Sequence, residues 1–129
     1  MRKLRRGVLC ASVMYCLVLF MAALGSPSSG GAQTLRDGEV AEVMTYVTAP
    51  GKERAFEETR SAMFSFLKTQ SGFVSVTGRQ DLKDPKVHVD LLVWASRAQF
   101  NAASSALPEK LRSAFMGTVS EWKYFGLVQ

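Results

Sequence analysis

The chain has 129 residues, with 16 Lys or Arg against 11 Asp or Glu, one His and two Cys. Cys10, Cys16 and four of the basic residues fall in an N-terminal stretch that reads as a leader, so the remainder carries 12 basic against 11 acidic residues and no cysteine. That balance makes no case for nucleic-acid binding. One histidine without cysteine excludes a usual zinc site and a thiolate nucleophile, and the carboxylates lack EF-hand spacing, so no metal is expected.

The leader opens with Arg2, Lys3, Arg5 and Arg6, runs almost uncharged from Gly7 to Leu24, and continues into the small residues Gly25 to Ala32. This is the layout of a secretory signal peptide. Cleavage is expected after Gly25 or after Ala32, the second being preferred. The 17 residues from Val8 to Leu24 also approach the ~20 that span a bilayer, so an uncleaved anchor is the alternative. Arg5-Arg6-Gly7-Val8-Leu9 resembles the core of a twin-arginine signal, with Leu4 where Ser or Thr is usual. No lipoprotein-type Cys follows the apolar run. Residues 1–32 are thus read as the signal, 33–39 as a short linker and 40–129 as one domain, exported to the periplasm or secreted, with no membrane contact after cleavage.

Val40 to Thr48, ending at Ala49-Pro50-Gly51, reads as a strand and turn. From Lys52 to about Gln70 a helix is predicted, with Ala55, Phe56, Met63, Phe66 and Leu67 on its apolar face, Glu57, Arg60 and Lys68 off it, and Gly72 as its stop. Phe73 to Gln80 and Val87 to Ala95 form a hairpin about the Asp84-Pro85 turn. Ser96 stands three residues before Gln99, the capping-box spacing, ahead of a short helix from Arg97 to about Ala103. Pro108 opens a further helix with Leu111, Phe115 and Val119 along one side, and Glu121 to Val128 closes the chain as a strand.

The order predicts an α+β, ferredoxin-like βαββαβ domain: a four-stranded antiparallel sheet with helices on one face. The uncovered face is apolar enough that homodimerisation is expected. Alternation divides the third strand into His88, Asp90, Leu92 and Trp94 on one face and Val87, Val89, Leu91 and Val93 on the other. The wholly apolar set is the expected core, and the mixed set is expected to line a cavity or a dimer interface.

The run from Val87 to Phe100, with Trp94-Ala95-Ser96 before an alanine-and-aromatic turn, resembles the third strand and following helix of the antibiotic biosynthesis monooxygenase family. Pro50-Gly51-Lys52 and Ser71-Gly72-Phe73 stand where that family has similar residues. The resemblance spans roughly Val40 to Val128. It implies a dimeric α/β barrel and, in some members, oxygenation of aromatic polyketides or quinol-like molecules without metal or flavin, so no cofactor is expected. Other members degrade haem, using a Trp on the third strand with an Asn on the first strand and a His in the next helix. Trp94 matches the Trp, but the first strand reads Met44-Thr45-Tyr46-Val47 and no His follows Trp94, which argues against haem degradation.

His88 is a candidate base, with Asp90 as the carboxylate that orients it; residues two apart on a strand are ~7 Å apart at Cα, so the pair needs bent side chains. The bland reading of His88 is a strand or interface residue. Trp94 offers an aromatic face and one N–H to a planar ligand, or is simply core. Tyr46 and Tyr124, read with Trp122 as aromatics on outer strands, could donate to a substrate, and Arg79 could meet an anionic one, or each could serve packing and solvation alone. The expected activity is cofactor-independent oxygenation of a small aromatic or quinol-type molecule. The alternative is a non-catalytic, hydrophobic-ligand-binding or stress-related dimeric module, and a purely structural dimer is the third possibility.

Overall fold

The computed structural model describes residues 34–129; the expected leader, its cleavage points and the anchor alternative lie outside the described residues. The elements are β1 (Val40–Thr48), α1 (Glu53–Lys68), β2 (Phe73–Gln80), β3 (Val87–Trp94), α2 (Arg97–Ala106), α3 (Glu109–Met116) and β4 (Val119–Val128). The strands form one antiparallel sheet in the order β2-β3-β1-β4. This is the expected ferredoxin-like α+β arrangement, with the second helical segment split in two at Leu107-Pro108. Among the described residues no helix is long and apolar enough to cross a membrane.

Local chemistry accounts for the boundaries. Gly51 (φ 74°) turns the chain from β1 into α1, and Gly72 (φ 83°) turns it from α1 into β2, conformations that cost a glycine little. α1 itself closes earlier, at Thr69, whose N–H bonds Phe66 O at 3.0 Å. Ser96 caps α2 by accepting from Gln99 N at 3.3 Å. The expected reciprocal half of the box differs: Ser96 Oγ donates to Gln99 Oε1, and Gln99 Nε2 donates to Ser71 Oγ, tying α2 to the turn before β2.

The register decides which face is which. On β1, Val40, Glu42, Met44, Tyr46 and Thr48 are buried beneath the helices, and their neighbours on β3 are Trp94, Leu92, Asp90 and His88. The core therefore joins Met44, Tyr46, Leu92 and Trp94 to Phe56, Met63, Phe64 and Leu67 of α1, Phe100 and Ala103 of α2, and Phe115 of α3. This corrects the expectation for β3. The mixed set is the covered face, while the apolar set containing Val89 (37 % exposed) turns to the side without helices, which it shares with Tyr124 of β4 (49 % exposed). Both faces of β3 are apolar enough to be a core, so alternation alone cannot rank them. What ranks them is Arg60, which only α1 can bring to Asp90.

Candidate active site

The covered face of the two inner strands carries a line of polar groups inside an aromatic core. Running along the sheet, Trp94, Glu42, Asp90, Tyr46 and His88 all point towards the helices. At its middle stands Asp90, fully buried. Tyr46 Oη donates to Asp90 Oδ2, Arg60 Nη2 donates to Asp90 Oδ1, and Arg60 Nε donates to Asp90 Oδ2 at 3.1 Å and to Tyr46 Oη at 3.2 Å. A buried carboxylate is tolerable only when so satisfied, and the two-pronged guanidinium suits the task. Arg60 also lies over Phe64, 4.8 Å from its ring centroid.

Arg60 is on the buried stripe of α1, four residues from Phe56 and four from Phe64, and not off the apolar face as the sequence reading placed it. The spacing held the signal: an arginine at i+4 from one buried aromatic and i−4 from another faces what they face. Its route to Asp90 crosses β2 at Gly78, the register partner of Asp90. A Cβ at Gly78 would fall on the Arg60 guanidinium and 2.9 Å from Asp90 Oδ1, so the glycine is the opening through which the ion pair forms.

His88 is buried at one end of the line. Its ring stacks on Tyr46 (centroids 5.9 Å, 19° between planes) and lies 4.4 Å from Phe56. The expected His88–Asp90 hydrogen bond is not formed, because Tyr46 and Arg60 take up the carboxylate. Burial first, and the Arg60 charge second, lower the His88 pKa from 6.5, so the imidazole is neutral near pH 7. Tyr46 is held well above the ordinary phenol value by its burial and by the Asp90 charge, and remains a proton donor. It sits on an inner strand, not an outer one, among Phe56 (5.7 Å), Phe115 (5.5 Å) and Trp122 (5.2 Å).

Trp94 occupies the opposite end, edge-on to Phe73 at 5.6 Å and to Phe100 at 6.3 Å. Its indole N–H is buried and makes no hydrogen bond of ordinary geometry. Beside it, one row along the sheet, is Glu42, a residue the sequence reading passed over. Burial raises the Glu42 pKa to about 7; the Trp94 N–H pulls it down and the Asp90 charge pushes it up. The Trp94 N–H thus lies against the Glu42 carboxyl and favours its ionised form, against the burial that disfavours it.

Arg79 and Tyr124 do not join this line. Arg79 pairs with Val89, and Tyr124 with Thr45, which puts both on the helix-free side of the sheet. There Arg79 donates to Gly78 O and the Tyr124 ring folds over Gly126. Sequence alternation could not separate them from Tyr46 because β2 and β4 each contain a register shift. Among the described residues no group of three His, Cys, Asp or Glu is placed to hold a metal.

A sheet of this order with its helices on one side defines a ferredoxin-like α+β subunit, and solved structures give it closer relatives. The chain is similar to SnoaB, a cofactor-independent oxygenase from Streptomyces nogalater, at 23 % identity and TM-score 0.63, covering 71 % of this chain and 92 % of that one. It is similar to a protein from Nitrosomonas europaea named for the antibiotic biosynthesis monooxygenases (16 % identity, TM-score 0.61, 74 % of this chain and 90 % of that one). It is also similar to a conserved protein from Methanosarcina mazei Go1 (12 % identity, TM-score 0.64, 70 % and 91 %). No protein-family model and no curated protein matches the sequence. The chain has the fold of the antibiotic biosynthesis monooxygenases.

Proposed function

We propose that this protein is a cofactor-independent monooxygenase acting on a small aromatic or quinol-type molecule bound against the covered face of the sheet. The observation that carries the reading is the polar line from Trp94 to His88, buried among aromatic rings in a fold shared with a cofactor-independent oxygenase. Such a reaction needs a planar, dry site and a group that takes the proton of a phenol, after which the electron-rich anion meets oxygen. His88 and Glu42 are the two groups on this face whose neutral or partly ionised state near pH 7 suits that role. Asp90 fixes Tyr46 and Arg60 rather than His88, and so shapes the site. Trp94 supplies the aromatic surface against which a planar ligand rests, while Tyr46, its ring packed against Phe56, His88, Phe115 and Trp122, holds Asp90 in place.

The protein is read as exported, its domain acting in the periplasm or outside the cell as a homodimer. The helix-free face, with Val43, Val47, Val87, Val89 and Leu91 on it, favours pairing of two such sheets. A non-catalytic dimeric module that holds a hydrophobic molecule remains the second reading, favoured by the missing His88–Asp90 bond. Oxygen uptake by the purified protein with a panel of hydroquinones and anthrones separates the two. Turnover supports the oxygenase, and a hydrophobic molecule that co-purifies and is returned unmodified, without uptake, supports the module.

A further inference from the structure

We propose that Tyr46 is a redox-active phenol that gives one electron, through Trp122, to organic peroxyl radicals meeting the surface beside β4, while its proton passes to Asp90. Such radicals form when oxygen adds to a carbon radical, but nothing in this relay depends on the oxygenase reading.

Tyr46 is fully buried, and its hydroxyl donates to Asp90 Oδ2 while accepting from Arg60 Nε at 3.2 Å. A phenol that loses an electron becomes a strong acid, so it gives that electron readily only where a base already holds its hydrogen bond. Asp90 is that base, and the proton crosses along the existing bond without movement of the ring. Burial then keeps the phenoxyl from coupling with a second one.

Trp122 is the nearest ring to Tyr46, at 5.2 Å between centroids. It is half-buried and packs at 6.2 Å on Phe125, which is 57 % exposed. An electron passes between packed rings, so the oxidant has only to meet Trp122 at the surface and no pocket is required. The Trp122 N–H is buried and has no hydrogen-bond partner among the described residues. An oxidised indole so placed has nothing to take its proton and stays a strong oxidant. The asymmetry sets the direction: the electron leaves Tyr46, which has a proton acceptor, for Trp122, which has none. Trp94 and Tyr124 each lack a part of this arrangement. Trp94 packs on Phe73 and Phe100 and stands opposite Val40, about 20 Å along β1 from Tyr46. Tyr124 lies on the helix-free side of the sheet, away from Asp90.

The step balances with the peroxyl radical as the only oxidant. It takes one electron from Trp122 and a proton from water, and becomes a hydroperoxide. Trp122 recovers its electron from Tyr46, whose O–H bond breaks as an O–H bond forms on Asp90 Oδ2. One electron has left the protein, and a neutral phenoxyl stands beside a protonated Asp90. A one-electron reductant of the enediol class returns the electron by the same route, and the proton goes back from Asp90 to Tyr46.

Pulse radiolysis of the full chain at neutral pH, with the trichloromethylperoxyl radical as oxidant, tests the relay, since indole and phenoxyl radicals differ in visible absorption. In the wild type the indole radical is expected to decay as a phenoxyl appears, at a rate independent of protein concentration and slower in heavy water. Tyr46→Phe, checked by circular dichroism to be folded, is expected to lose that phenoxyl and to leave the indole radical longer-lived. Trp122→Phe is expected to lose it too, because Trp94 is too distant to serve, whereas Tyr124→Phe keeps it. Asp90→Asn, where folded, is expected to slow the phenoxyl's appearance. A phenoxyl that forms as fast and as fully in Tyr46→Phe or in Trp122→Phe as in the wild type overturns the relay. A rate unchanged both in heavy water and in Asp90→Asn overturns the passage of the proton to Asp90. Oxygen uptake with quinols tests the oxygenase reading separately, so failure of one is told from failure of the other.

Discussion

Glu42 makes the stability of this fold fall as pH rises, and Glu42→Gln isolates the effect. A carboxyl whose folded pKa is raised binds its proton more tightly in the native chain than in the unfolded one. The native state therefore holds the extra proton between pH 4.5 and about 7, and stability is lost across that window as pH increases. The gap between 4.5 and about 7, at about 1.36 kcal/mol per unit, gives about 3 kcal/mol. Glutamine has the same shape and never ionises, so the variant and wild type have similar stability at pH 5, and the variant is more stable by about 3 kcal/mol at pH 8. Urea unfolding followed by circular dichroism, at one fixed protein concentration, reads this directly. With an m-value of about 1–2 kcal/mol/M the two midpoints separate by about 2 M at pH 8. A difference between variant and wild type that stays constant within about 0.5 kcal/mol from pH 5 to pH 8 refutes the reasoning, since Glu42 would then titrate alike folded and unfolded.

Asp90→Asn leaves the Arg60 guanidinium half-buried without its counter-charge and is expected to destabilise the fold by about 3 kcal/mol in the same urea assay. Gly78→Ala forces Arg60 away from Asp90 and is expected to cost about 1–3 kcal/mol, whereas Gly78→Ala combined with Arg60→Met should cost less than the sum of the two changes. His88 should titrate below 6.5 by NMR, and because its folded pKa is depressed, its contribution to stability is full above 6.5 and is lost as pH falls through the lower, folded value. This trend runs opposite to that of Glu42, and the Glu42→Gln variant should display it more clearly.

Much of the architecture was written in local sequence signals. Ala49-Pro50-Gly51, Gly72, Asp84-Pro85 and Pro108 mark where elements change, and the strands fall close to where their β-branched and aromatic runs lie. What could not be read was the choice between two apolar faces of β3, because the face that holds the helices is decided by contacts far apart in sequence. Arg60 is 30 residues from Asp90, and Tyr46 is 44 residues from it. A charged residue on an amphipathic helix is ordinarily solvated, so the arginine that reaches inward looks like its neighbours until its carboxylate partner is known. Glu42 was hidden for a similar reason: in an isolated strand a single acidic residue suggests an exposed face, and only the register with Leu92, next to Trp94, places it in the core. His88 and Asp90 were legible as residues of one face but not as separate units, since Tyr46 and Arg60 were not in view.

The most direct test of the active face is oxygen consumption by the purified protein with hydroquinones and anthrones, wild type against Glu42→Gln and His88→Ala. Uptake by the wild type that falls at least about tenfold in kcat on loss of the proton-accepting group, with the variants folded, is the expected result. Uptake that is unchanged in both variants would contradict the assignment of the chemistry to the covered face of the sheet.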